Sequence, residues 1–301
     1  MHDYFVRTSW QLAEIWIGPA SPIIGGVVML VLVLAWLWSW LVQHESDLKT
    51  RWLTFLQRPR AARFRQRFAL QIQFLQDRLS PTGYLGLHLT IGALIIFAAG
   101  WCFGGIVEDI FTGDPLTVID KQAANWFHEH AIPVVTKAAI VTTFLGSPPF
   151  LGGASLATAL FLTWRRWWHR LLALVLTMGG GSLLIILLKT IFHRQRPIFE
   201  NPLITVTSYS FPSGHVMGST LFYLFVAGII SVSIKQWRWR VLTFLTAFTF
   251  VLLVGLTRTY LGAHYLSDVM GAMAAGVAWL VFSVTAVESL RRYRNESRTS
   301  Q

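Results

Sequence analysis

From Pro22 to Val42 the chain runs without a single charged residue, and comparable apolar runs recur to its end. A helix rising 1.5 Å per residue needs about 20 residues to cross roughly 30 Å of hydrocarbon. Inside a bilayer no water meets exposed backbone N–H and C=O groups, so such runs fold as helices that satisfy their own backbone. The expected fold class is therefore all-α, a polytopic membrane helix bundle. Seven spans are expected: Pro22–Val42, Tyr84–Val107, Pro149–Trp164, Leu171–Leu188, His215–Ile234, Val241–Leu256 and Leu266–Val287. Charged residues make up 13% of the chain, about half the share usual in soluble domains. Many of the 14 Trp and 21 Phe lie near span ends, where aromatic belts form.

The connections differ in charge. His44–Gly83 holds Lys49, Arg51, Arg58, Arg60, Arg63, Arg65, Arg67 and Arg78, interleaved with apolar residues such as Trp52, Leu56, Phe64, Phe68 and Phe74. This reads as a basic amphipathic segment on the membrane surface. A nucleic-acid patch is the alternative, disfavoured by the spans on both sides, and no nucleic-acid partner is expected. Residues 1–20 form a mixed lead in which Asp3, Arg7 and Glu14 interrupt any signal-peptide core. Glu108–Ser147 is an acidic-to-mixed connection with a helical pattern over Asp120–His130. Ala131–Leu145, broken by Lys137, reads as a short interfacial helix. Gly179-Gly180-Gly181 permits close packing or a kink. The lone Cys102 excludes an internal disulfide, and no Cys/His metal cluster appears. With seven spans, the basic connections 44–83, 165–170, 235–240 and 291–301 share one side, the cytoplasm. The net charge of +11 is accounted for in this way.

Three polar clusters then fall on the opposite, extracytoplasmic side. The first runs from Lys189 to Arg196-Pro197, the second is Pro212-Ser213-Gly214-His215, and the third holds Arg258, His264 and Asp268. Lys189 and Arg196 are seven apart, so they share a face if the helix runs on past the bilayer edge until Pro197 stops it. Together they suit an oxyanion; alternatively they snorkel as helix-end anchors. Ser213 and Gly214 open a helix, where free N–H groups bind phosphate and glycine lets a ligand approach; an ordinary cap is the alternative. His215 at the rim is placed to donate a proton. His264 and Asp268 stand i, i+4, one above the other on a helix face, so the carboxylate can fix the imidazole tautomer and leave the other nitrogen as nucleophile or base. A buried pair joining two helices is the other reading.

Taken together, K-x6-RP, PSGH and R-x5-H-x3-D resemble the type 2 phosphatidic acid phosphatase (PAP2) superfamily of lipid phosphatases. The one departure is Thr257 where the family has Ser before the arginine; the hydroxyl is kept. The resemblance covers roughly residues 84–288 and implies a six-helix phosphatase core. One extra N-terminal transmembrane helix and the basic segment (1–83) precede it, and a basic cytoplasmic tail (289–301) follows. It further implies that His264 attacks phosphorus and becomes a phosphohistidine, that Asp268 orients it, and that His215 is the general acid. Lys189, Arg196 and Arg258 would hold the phosphate oxygens with Ser213 and the Gly214 N–H, and no metal or cofactor would be needed. His193 and Arg194 are not motif positions and read as rim residues. The expected partner is a lipid phosphate or diphosphate: undecaprenyl diphosphate, phosphatidylglycerol phosphate, phosphatidic acid or lipid A phosphate. The expected location is a bacterial-type plasma membrane. A lipid phosphotransferase of the same fold, or a non-catalytic protein that binds or transports anionic lipids, are the alternatives.

Overall fold

A computed structural model describes residues 84–299 apart from Asp114, together with Thr54. The expected first span and the basic amphipathic segment lie outside the described residues. The chain divides into two compact units, Met1–Leu87 and His88–Gln301, and the second contains all three polar clusters. The α-helices of the described residues are α1 (Tyr84–Thr112), α2 (Pro115–Glu129), α3 (Pro133–Phe144), α4 (Pro148–Trp164), α5 (Trp168–Val175), α6 (Gly181–Phe192), α7 (Gly214–Ser233), α8 (Trp237–Tyr260) and α9 (Leu266–Thr299). Among the described residues there is no strand, as the apolar patterning predicts.

Among the described residues, six segments are long and apolar enough to cross a membrane: Leu89–Thr112, Pro133–Trp164, Trp168–Phe192, Gly214–Ser233, Trp237–Tyr260 and Leu266–Arg294. The second joins the short α3 to α4. They are separated at Leu145-Gly146-Ser147, where Ser147 caps α4 by accepting from the Phe150 N–H at 3.4 Å and Pro148 starts the new helix. The third segment is continuous from α5 to α6 through a π turn at Leu176–Gly180. There the indole Nε1 of Trp279 donates to the Leu176 carbonyl at 3.2 Å. A Cβ at Gly180 would run into Trp279, and one at Gly181 into Leu221. Gly180 and Gly181 thus serve close helix packing, while Gly179 faces open space. α9 continues as helix through the basic tail to Thr299.

α7 is the central helix. It buries Val216, Met217, Gly218, Ser219, Thr220, Leu221, Phe222, Phe225 and Ala227, and packs chiefly on α8 and α9, with α6 and α4 also against it. The core around it includes Leu162, Leu174, Val251, Val254, Val269 and Ala272. The outward faces of α1, α4 and α6 stay apolar and exposed, with Leu94, Phe97, Trp101, Leu160 and Leu183 among them. In a helix destined for lipid such a face needs no protein partner.

Candidate functional site

The end of α8 and the start of α9 form a tight unit. α8 stops at Tyr260, and Gly262 takes φ +69°. That left-handed conformation favours glycine, and a Cβ there would also lie 2.8 Å from the Phe199 ring. The Arg258 carbonyl accepts from the N–H groups of Ala263 (3.1 Å) and His264 (3.3 Å), a glycine-terminated helix end. Asp268 lies in the first turn of α9, where one carboxylate oxygen accepts from the backbone N–H of Tyr265 at 2.8 Å. This is the reach-back half of a capping box. Contrary to the helix-face arrangement expected from the i, i+4 spacing, His264 sits in the turn and not on the helix, which begins at Leu266, so its approach to Asp268 depends on this local geometry. Nδ1 of His264 stands 3.5 Å from Oδ2 of Asp268, an electrostatic contact longer than a hydrogen bond. Both residues are buried.

The first cluster assembles differently from expectation. The helix does not run on to Arg196: α6 ends at Phe192, and His193 takes a left-handed φ of 46°. Lys189 and Arg196 therefore meet through the α6–α7 loop, not along one helix face. Lys189 Nζ donates to the Ser208 hydroxyl (3.2 Å) and the Tyr209 carbonyl (2.7 Å). Arg196 donates to the Ser208 carbonyl (2.6 Å), the Ser208 hydroxyl (3.0 Å) and the Tyr209 carbonyl (3.2 Å), and also to the Ala263 carbonyl. Its Nη1 lies 3.1 Å from Nε2 of His264. A guanidinium can only donate. Nε2 is then the acceptor, which puts the ring proton on Nδ1, the side of Asp268. Burial, together with the nearby Arg196 and Arg258 charges and against the pull of Asp268, brings His264 down to about 4. The imidazole is neutral at neutral pH, with its Nε2 lone pair facing the cation.

The second cluster opens α7. His215 lies within electrostatic reach of Arg258, His264, Arg196 and Lys189. All three clusters therefore converge at one end of the bundle. Ser213 is buried, and its hydroxyl has no hydrogen-bond partner; it does not cap α7. A Cβ at Gly214 would meet only Ile185, at 3.7 Å, so neighbouring side chains do not require glycine there. Arg258 is 4% exposed, its Nε has no partner, and its Nη1 makes one long hydrogen bond, 3.5 Å, to Thr143.

Arg194, read from the sequence as a rim residue, is built into the interior. It forms ion pairs with Asp120 (2.8 Å) and Asp268 (2.6 Å), and its guanidinium lies 4.5 Å from the centre of the Tyr265 ring. Burial opposes its charge, but Asp268 and Asp120 outweigh burial and hold Arg194 above the ordinary arginine range. Ser210 donates to Asp268, and Ser267 to Asp120. Sequence reading passed over Asp120, Ser208, Ser210 and Ser267. The one available signal was an acid, Asp120, at the start of the helical pattern Asp120–His130. By contrast, among the described residues no carboxylate pairs with Lys189, Arg196 or Arg258. His193 stays exposed at the rim.

Fold and site together define an all-helical, multi-pass membrane protein with a His–Asp pair among three unpaired cations at one end of its bundle. Residues 170–292 match the model of the PAP2 superfamily. Phosphatidylglycerophosphatase B of Bacillus subtilis (strain 168) is 32% identical over 134 residues. The match covers 44% of this chain and 65% of that relative, slightly less than two thirds of its length. The crystal structure of a transmembrane PAP2 type phosphatidylglycerolphosphate phosphatase from Bacillus subtilis is similar with a TM-score of 0.58 at 27% identity. That likeness covers 64% of this chain and 95% of the other.

Proposed function

We propose that this protein is a membrane lipid phosphatase that hydrolyses the terminal phosphate of a lipid phosphate or diphosphate at the extracytoplasmic face. The observation that carries the reading is the trio Lys189, Arg196 and Arg258. These cations share one site, and among the described residues no carboxylate forms an ion pair with any of them. A buried charge is costly unless paired, and Arg258 is nearly fully buried. A phosphoryl group supplies the missing negative charge. The expected binding set is these three with the Ser213 hydroxyl, which lacks a partner, and the Gly214 N–H.

Chemistry follows from the His264 tautomer. The Nε2 lone pair attacks phosphorus, the lipid oxygen departs with a proton from His215, and a phosphohistidine results. Water, deprotonated by His215, then attacks the phosphorus, and inorganic phosphate leaves with His264 restored. Asp268 stabilises the positive charge that Nδ1–H carries while Nε2 is phosphorylated. Three fixed cations offset the charge that develops on the transferring oxygens. The similarity to phosphatidylglycerophosphatase B makes phosphatidylglycerol phosphate the first substrate to try. Undecaprenyl diphosphate, phosphatidic acid and lipid A phosphate complete the panel.

Purified protein in detergent should release inorganic phosphate from at least one of these lipids, with water as the acceptor. Release that occurs only when a second lipid hydroxyl is supplied would instead mark a phosphotransferase. Sidedness is tested separately in a Cys102→Ser background. Asn201→Cys should react with an impermeant thiol reagent in intact cells and Arg63→Cys should not; the reverse pattern would overturn the orientation.

A further inference from the structure

We propose that Asp120 and Arg194 are positioning residues for His264, forming a buried charged bridge from α2 through the α6–α7 loop to Asp268. The inference rests on the reading of His264 as the nucleophile. The bridge is continuous. Oδ1 of Asp120 accepts from the Ser267 N–H at 2.9 Å, which ties α2 to the first turn of α9. Oδ2 of Asp120 accepts from Arg194 Nη2 at 2.8 Å and from the Ser267 hydroxyl. Arg194 Nη1 donates to the Ser267 hydroxyl and to Oδ1 of Asp268, both at 2.6 Å. Oδ2 of Asp268 is left to the Ser210 hydroxyl, the Tyr265 N–H and the His264 ring. Every polar atom of the two carboxylates is thus committed, and Asp268 cannot rotate without breaking a bond to Arg194 or Tyr265.

Charge points the same way. Asp268 alone would set a full negative charge beside the imidazole. Arg194 cancels much of it, and Asp120 in turn restrains Arg194. The three groups sum to one net negative charge, spread over the bridge. The remaining ionisable groups facing His264 are Arg196, Arg258 and His215. His264 thus stays neutral and nucleophilic, yet has an anion to lean on when it carries phosphate. Arg194 does not bind substrate in this scheme: both its terminal nitrogens are spent on carboxylates, unlike those of Lys189, Arg196 and Arg258.

The test uses the full chain in detergent with nitrophenyl phosphate, comparing wild type, Asp120→Asn, Arg194→Gln, Arg194→Lys and the double variant Asp120→Asn/Arg194→Gln. A displaced nucleophile costs roughly 10²-fold in kcat, while KM should change less than about threefold because the phosphate-holding cations remain. The double variant should lose no more than the worse single one, since both break one bridge. The acid limb of kcat/KM gives a sign that a merely structural defect would not. Removing the Arg194 cation exposes His264 to the full Asp268 charge, favours imidazolium and moves the limb to higher pH. Removing the Asp120 anion moves it to lower pH. Arg194→Lys keeps the charge but cannot fork between two carboxylates, so its limb should stay near wild type while kcat falls; it decides the matter if Arg194→Gln is not recovered folded. Unchanged kcat in folded Arg194→Lys and Asp120→Asn, additive losses, or limbs moving in the same direction would overturn the bridge alone. Full turnover by a His264→Ala control, or none by wild type, would overturn the catalytic reading and the bridge's role with it.

Discussion

The turn between α8 and α9 and the loop between α6 and α7 deliver charged side chains to the same centre by different means. In the turn, a glycine-terminated helix end and a first-turn carboxylate place Arg258, His264 and Asp268 through hydrogen bonds between near neighbours in sequence. In the loop, Lys189 and Arg196 are brought together only because both grip the Ser208–Tyr209 backbone and side chain, well along the chain from either. The difference teaches where precision is stored. The proposed nucleophile, His264, sits with Arg258 on the locally encoded element, whereas the other two proposed phosphate-holding cations, Lys189 and Arg196, sit on one whose shape depends on tertiary contacts, Arg196 with Ala263 and Phe199 with Gly262 among them. Substitutions in the turn should therefore damage turnover, and those in the loop chiefly binding.

The largest expected effect belongs to the turn. His264→Ala should abolish turnover on every phosphate ester tested, as measured by phosphate release. His215→Ala, at the mouth of α7, sharpens the comparison because its cost depends on the leaving group. A lipid alkoxide needs a proton, so roughly 10²–10⁴-fold should be lost there. On nitrophenyl phosphate, whose leaving group departs unprotonated, the variant-to-wild-type ratio should be closer to one. Equal losses on both substrates would assign His215 to phosphate binding. Gly262→Ala comes next. It forces an L-residue into the left-handed region at ~1–2 kcal/mol and pushes on Phe199. The melting temperature and kcat should both fall, with KM little changed.

Ser208→Ala breaks the comparison from the loop side. It removes a hydroxyl shared by Lys189 and Arg196 but leaves their carbonyl partners. A lost hydrogen bond of about 1 kcal/mol predicts a KM change below tenfold with kcat nearly kept. A kcat loss as large as that of Gly262→Ala would show the two regions to be one rigid unit. The smallest effect is expected from chelation. If Lys189, Arg196 and Arg258 hold the phosphoryl oxygens as proposed, no metal is needed to neutralise them, so activity should persist in EDTA and vanadate should inhibit; loss in EDTA restored by Mg²⁺ would refute this.

The same contrast governs what could be read before the fold was known. Apolar runs and basic connections gave the helical, multi-pass class because a bilayer leaves the backbone few choices. His264 and Asp268 were legible as a pair from their i, i+4 spacing, although His264 lies in the turn ahead of α9 and not on the helix face that spacing suggested. Lys189 and Arg196 were legible as types, yet their convergence was ascribed to a continuous helix that ends at Phe192. Arg194 was set aside because nothing in its spacing reveals two carboxylates, one of them on α2, far away in sequence. The break between α3 and α4 was anticipated as a short helix ahead of Pro149, while its joining to α4 in one span-length segment depends on how the two stack.

The central claim is that Nε2 of His264 takes the phosphoryl group. It is tested most directly by rapid quench of the purified protein with a phosphate-labelled lipid substrate, followed by mass-spectrometric mapping. The account predicts a label that is stable in alkali, labile in acid, located on His264, and absent from His264→Ala. A label on another residue, or one that persists in His264→Ala, would contradict it.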